Sequence, residues 1–229
     1  MLLIQLLQIN VAESDAATEK AAEVSLSFLE LAFKGGWIMI PIVILSIIAV
    51  YIFFERFIAI KQAARTESNF MEKIKEGILN GKIDDALSLC QSNKSPIARM
   101  IEKGIKRIGR PLPDINAAIE NVGKLEIYKL EKNLATLATV AGAAPMIGFL
   151  GTVIGMVQAF YDMANAGNNI DVSLLSNGIY TAMVTTVAGL IVGILAYIAY
   201  NILVANVEKV VNKLEVNTSE FMDLLNEPA

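Results

Sequence analysis

Residues 134–161 and 172–207 contain no Lys, Arg, Asp, Glu or His, and a chain that keeps two such runs has few folds open to it. At about 1.5 Å of rise per residue, a hydrocarbon core of roughly 30 Å is crossed by about twenty helical residues. Three windows qualify, and the predicted spans are 36–54, 135–160 and 179–203. A hydrophobic fraction of 55% and a mean hydropathy of +0.53 fit a chain with much of its length facing lipid or other helices, and do not fit an ordinary soluble domain.

Both long runs are two-sided. In the first, Ala141, Gly148 and Gly155 interleave with Pro145, Thr152 and Ala159 at steps of three and four, while Ile147, Leu150, Ile154 and Val157 line another side. In the second, Ala182, Thr186, Gly189, Gly193 and Ala196 repeat the small pattern, with Val187, Leu190, Ile194 and Tyr197 on the large side. Lipid cannot drive apolar helices together, so membrane helices associate through small residues that let backbones approach, with the bulky side left to lipid. Gly148, Gly151, Gly155, Gly189 and Gly193 are therefore expected to serve helix packing. Pro145 is expected to kink its helix and free a carbonyl that needs a neighbour.

Basic residues orient the spans. Arg56, Lys61 and Arg65 follow the first and Lys124, Lys129 and Lys132 precede the second, whereas the connection 161–178 holds Asp162 and Asp171 and no Lys or Arg. The expected organisation is an outer amino-terminal tail (1–35), a first span (36–54), a cytoplasmic helical region (55–134), a second span (135–160), a short outer connection (161–178), a third span (179–203) and a cytoplasmic helical tail (204–229). Residues 1–11 lack a basic leader and a clear cleavage site and read as a tail or the remnant of a cut signal. Leu26, Leu29 and Phe33 share one side of an expected interfacial helix over 25–33. Trp37 sits where an aromatic anchor belongs, and Glu55 with Arg56 reads as an interfacial pair snorkelling at the inner headgroups.

Within 55–134 the pattern predicts several short helices and then one long one. Phe70, Ile74 and Ile78 mark the first, ending near Gly81; Ile83, Ala86, Leu87 and Cys90 mark the next; Ser95 before Pro96 starts a third. Pro111 and Pro113 break the chain. After Asp114, an expected cap, Ile115, Ala118, Ile119, Val122 and Leu125 lead into the second span as one helix of about 45 residues. The third span is expected to continue past Val207 through Val210, Leu214 and Phe221. The fold class is an all-α membrane protein of three transmembrane helices, the second and third extended into a cytoplasmic helical region.

Several functions are excluded or disfavoured. The net charge of -4 offers nothing for nucleic acid. With a lone Cys90 and no His, the usual soft metal-ligand sets are missing, so neither metal nor cofactor is expected. No nucleophile-base pair or phosphate-binding loop suggests an enzyme.

At these residues a family resemblance emerges. Ala144-Pro145-xx-Gly148 followed by Gly151-Thr152-Val153-xx-Met156, then Gly178-Ile179-xx-Ala182-xx-Thr185-Thr186-xx-Gly189-Leu190 with Tyr200-Asn201 beyond, resemble the ExbB/TolQ/MotA proton-channel family, most closely its ExbB branch. Trp37 and Phe54-Glu55-Arg56 resemble that family's first span, so the likeness covers about residues 30 to 215. It implies an inner-membrane homopentamer surrounding a dimer of a single-span ExbD-like partner, whose membrane Asp handles the proton. It further implies that proton flow energises a TonB-like protein acting on outer-membrane transporters. The family's pore threonines carry over by motif to Thr152 and Thr186. Many ExbB and TolQ members have a Glu where this chain has Thr181.

The residues alone support the same division of labour. Proton transfer at membrane depth needs a titratable group or a water chain, and none of the three spans contains an Asp, Glu, His, Lys or Arg. The hydroxyls of Thr152, Thr181, Thr185 and Thr186 orient water or hydrogen-bond a carboxylate without holding a proton themselves. The acid is therefore expected from another chain. A membrane Thr also commonly bonds its own helix's carbonyl three or four residues back, and for Thr181 and Thr185 both readings stand. Two long small-residue faces on one three-helix subunit predict a ring-forming homo-oligomer set among membrane lipids. The competing readings are a TolQ-like envelope motor subunit and a non-conducting membrane scaffold.

Overall fold

A computed structural model of the chain describes residues 35–65, 69–165 and 172–226. The expected amino-terminal tail with its 25–33 helix, and the connection beyond Asn165, lie outside the described residues. After a short 3-10 turn at Gly36–Ile38, seven helices follow: α1 (Met39–Ala64), α2 (Phe70–Leu79), α3 (Ile83–Ser92), α4 (Pro96–Ile105), α5 (Leu112–Glu131), α6 (Leu134–Asn165) and α7 (Val172–Asn226). All regular structure among the described residues is helical, and three stretches, Gly36–Ala64, Leu112–Asn165 and Leu175–Asn226, are long and apolar enough to cross a membrane. The chain divides into two compact units, one formed by Met1–Ile40 with Ile147–Ala188 and the other by Pro41–Met146 with Gly189–Ala229.

The larger unit holds a continuous apolar core. Phe70 and Ile74 of α2, Cys90 of α3, Ile97 and Ile101 of α4, Ile119 of α5 and Phe221 of α7 are all buried in it. The short helices start and stop where their chemistry directs. Ser95 caps α4, its hydroxyl accepting from the Ala98 amide at 3.3 Å, and Pro96 occupies the first turn, where a missing donor is harmless. Gly81, at φ +69, turns the chain after α2. Gly104 is required by close packing, because a Cβ there would stand 2.6 Å from the Phe221 ring and 2.8 Å from Ile119 Cδ1. From Leu203 onward the buried side of α7 is Leu203, Val207, Val210, Leu214, Phe221 and Leu224.

Two local expectations give way. Asp114 is not the cap of α5: the helix begins at Leu112 behind Pro111, and Asp114 lies in its first turn. Pro113 is accommodated there because the first amides of a helix have no intrahelical acceptor, and a carboxylate suits the positive end of the dipole. Nor does one helix run from the cytoplasmic region into the second span. Asn133, at φ 65, separates α5 from α6, and asparagine is one of the few non-glycine residues that adopts this left-handed conformation readily.

That break explains a third departure. Arg56, expected to snorkel toward headgroups, is only 7% exposed. Its Nη1 donates to the Lys129 carbonyl at 2.8 Å and its Nε to Glu55 Oε2 at 2.7 Å. The carbonyls of the last turn of α5 lack intrahelical partners, and a guanidinium satisfies one of them while its charge suits the negative helix end. On the same helix Glu126 is buried and takes two cations, Arg99 of α4 and Lys129 Nζ at 2.7 Å. Arg56→Met keeps the side-chain length and strands the Lys129 carbonyl, and a loss of about 1.5–3 kcal/mol is expected from unfolding followed by circular dichroism in detergent. Burial pushes the Cys90 thiol up to about 12. At neutral pH a maleimide should leave the native protein unlabelled and modify one site after denaturation.

Candidate functional site

The smaller unit is built on the meeting of α6 and α7, and small residues make it close. A Cβ added to Gly151 would stand 2.7 Å from Thr185 Cβ and 3.3 Å from Ile38 Cγ2. One turn on, a Cβ on Gly155 would meet Ala182 Cβ at 2.9 Å and the Gly178 carbonyl at 3.3 Å. Gly178 in turn faces Ala159 and the Gly155 carbonyl. No side chain larger than hydrogen fits at these positions without moving a backbone. The bulky sides point outward: Leu150, Val157, Val187 and Leu190 are exposed, with Ile147 and Ile154 half-buried.

This approach brings hydroxyls within reach of backbone carbonyls. Thr186 Oγ1 donates across the helix pair to the Gly148 carbonyl at 2.9 Å. Thr185 Oγ1 donates to the Ala182 carbonyl of its own helix at 2.7 Å and lies 3.4 Å from the same Gly148 oxygen. Thr152 Oγ1 donates to the Phe149 carbonyl three residues back at 2.6 Å. The structure thus gathers Thr185 and Thr186 on Gly148, with Thr152 one helical turn further along α6.

The four threonines are not equivalent. Thr185 is 1% exposed, shut between helices, and its hydroxyl serves their contact, which is the own-helix reading of the two left open for it. Thr152, Thr181 and Thr186 are half-buried and retain an accessible side. A hydroxyl whose proton is given to a carbonyl still offers lone pairs, so it accepts from a protonated acid; rotated, it donates to the carboxylate. Thr152 and Thr186 therefore suit a carboxyl group that changes protonation state beside them.

Other expected positions fall as follows. Gly148 and Gly189 are buried. In the larger unit Pro145 packs on Gly193, where a Cβ would lie 2.6 Å from Pro145 Cδ and 3.1 Å from the Ala141 carbonyl. Ala141 is the residue whose carbonyl Pro145 leaves without its usual donor, so a bare glycine backbone meets the polar group that the proline frees. Trp37 is 69% exposed on the 3-10 turn. Sequence reasoning did not find the bond from Thr186 to Gly148, the seat of Arg56 or the Arg99–Glu126 pair, because each joins residues 27 to 73 positions apart and no spacing rule links them.

The model of the MotA/TolQ/ExbB proton channel family matches residues 92–216. A protein of Methanothermobacter thermautotrophicus, named as an ExbB homolog of biopolymer transport, is 27% identical over 189 residues, covering 82% of this chain and 67% of its own. The Tol-Pal system protein TolQ of Pseudomonas aeruginosa is 28% identical over 200 residues, covering 82% of this chain and 86% of its own. TolQ of Haemophilus influenzae is 29% identical over 214 residues, covering 86% and 91%.

Gly151→Ala should force the helix pair apart and lower stability by about 1–3 kcal/mol. Gly142→Ala, where nothing lies within 4 Å, should be neutral or gain up to about 1 kcal/mol of helix propensity. Paired thermal unfolding of the two variants separates crowding from backbone effects.

Proposed function

The chain belongs to the MotA/TolQ/ExbB proton channel family, and on that premise we propose that it is an ExbB-type member that forms the hydroxyl-bearing wall of a proton-driven motor of the bacterial inner membrane. Several copies, five by the family resemblance, close into a ring around a single-span ExbD-like partner. That partner brings the membrane Asp, and the assembly energises a TonB-like protein. The amino terminus lies outside and the carboxyl terminus in the cytoplasm in this reading, which the basic residues flanking the spans support.

One observation carries this reading. The two small-faced runs hold no Asp, Glu, His, Lys or Arg, yet Thr152 and Thr186 present half-buried hydroxyls whose protons are already placed on the Phe149 and Gly148 carbonyls. Such a wall cannot relay a proton by itself and is suited to an acid supplied by another chain. In the proposed cycle the partner's Asp takes a proton from the outer side. Neutral, it donates to a threonine oxygen; after release inward, it accepts from the same hydroxyls once they rotate. Thr181 adds a hydroxyl to this wall at the position where many relatives carry Glu. The glycines and Pro145 shape the path without handling protons.

A Tol-type role is the second reading, favoured by TolQ relatives that match along more than four-fifths of this chain. Both readings share the ring, the partner and the threonines, and differ in which protein receives the work.

The test is co-purification with the suspected single-span partner, subunit counting, and proton-dependent uptake or envelope integrity as the readout. Thr152→Val and Thr186→Val should assemble at wild-type stoichiometry and lose activity at least about tenfold, since each removes hydrogen bonds made to a changing charge. Activity retained in both variants, or assembly lost in place of activity, would leave a scaffold as the better description.

A further inference from the structure

The parallel seam between α1 and α7 in the larger unit is apolar at one end and basic at the other. Toward the middle of both helices it opens as a groove of about 280 Å³, floored by Ala49 and Ala196 and walled by Val50, Phe54, Leu195 and Ile202. Those four wall residues are exposed, with Phe54 at 59% and Leu195 at 63%. Further along the same two helices the seam widens to about 400 Å³ over Phe57, Ile60 and Val210, and Lys61, Lys209 and Lys213 stand around it. Among the described residues that line this second groove there is no carboxylate. Lys213 Nζ gives one hydrogen bond to the Ala64 carbonyl at 3.4 Å, and the Lys61 ammonium lies 5.9 Å from the Phe57 ring centroid.

We propose that this seam is a binding site for one anionic phospholipid, its phosphate held by Lys61, Lys209 and Lys213 and an acyl chain laid between Phe54 and Ile202. Charge and length both select this occupant. Three lysines line one opening at the end of apolar spans, the place where a membrane presents anionic headgroups. From Ser46 to Phe54 the apolar groove runs about 12 Å, most of one leaflet's share of a hydrocarbon core of roughly 30 Å. A free phosphate would use the lysines and leave the apolar groove unfilled; a protein segment would need carboxylates for the lysines and large apolar side chains at matching depth. A diacyl phospholipid supplies both halves in one molecule. The inference rests on the membrane placement of the apolar helices and is independent of whether the proposed motor reading holds, because it concerns this chain without its partner.

The experiment reconstitutes the full chain in nanodiscs of equal phosphatidylglycerol and phosphatidylcholine and counts retained lipids by native mass spectrometry. The expected result is retention of phosphatidylglycerol over phosphatidylcholine by at least about tenfold, as several lysines near one headgroup imply. That preference should fall to near parity in K61Q/K209Q/K213Q, survive in K61R/K209R/K213R, and resist excess inorganic phosphate. Equal retention of the two lipids by the wild type would overturn the proposal. So would an unchanged preference in the glutamine variant, as expected if a neighbouring copy covers the seam, or displacement of the lipid by inorganic phosphate. Unchanged thermal unfolding of both triple variants excludes misfolding, since all three lysines are solvent-exposed.

Discussion

The closeness of α6 and α7 at Gly151 and Gly155 is the constraint from which the site follows. Hydrocarbon offers no water to satisfy a polar group and no hydrophobic force to join helices, so contact depends on how near two backbones come. Where a Cβ would strike Thr185 or Ala182, glycine lets the helices meet, and the short Thr186 side chain then spans to the Gly148 carbonyl. Leucine at either glycine would move the helices apart by more than a threonine can bridge. Packing and polar chemistry are in this sense one feature: the same absence of side chains that joins the helices puts hydroxyls against carbonyls at membrane depth.

The larger unit shows the complementary strategy. There the interior is bulky and aliphatic, and its two buried charged residues among those described, Arg56 and Glu126, are both paired. Glu126 is held between Arg99 and Lys129, and Arg56 closes the end of α5. These contacts lie where apolar helices give way to the helical region expected in cytoplasm. A buried carboxylate or guanidinium left alone there would be costly, and each partner makes a particular helix end the only comfortable neighbour. The junction at Lys132 and Asn133 is stable because Arg56 supplies a donor where the interrupted helix lost one.

What the sequence made legible was whatever depends on periodicity. The three apolar helices, the small faces against bulky ones and the continuation of the last helix through Phe221 follow from spacing of three and four, and the Ser95–Pro96 start from capping chemistry. The motif matched the family as well. Hidden were the features decided by three-dimensional neighbours. Asn133 reads as an unremarkable polar residue in a helical run, and the contact of Arg56 with the end of α5, which satisfies a carbonyl the break frees, is invisible to spacing. Thr185 and Thr186 are adjacent and chemically identical, yet the turn of the helix buries one and leaves the other half open.

The carboxyl-terminal half of α7 carries a consequence of its own. Leu203, Val207, Val210, Leu214, Phe221 and Leu224 recur at alternating steps of four and three, with one step of seven, which is a heptad repeat, and no Gly or Pro interrupts the helix after Gly193. A straight α-helix drifts about 20° per heptad from such a repeat, so a seam of this kind favours a shallow left-handed supercoil. Within the larger unit this stretch is continuous helix to Asn226, so the repeat presents one uninterrupted apolar edge to the helices packed against it.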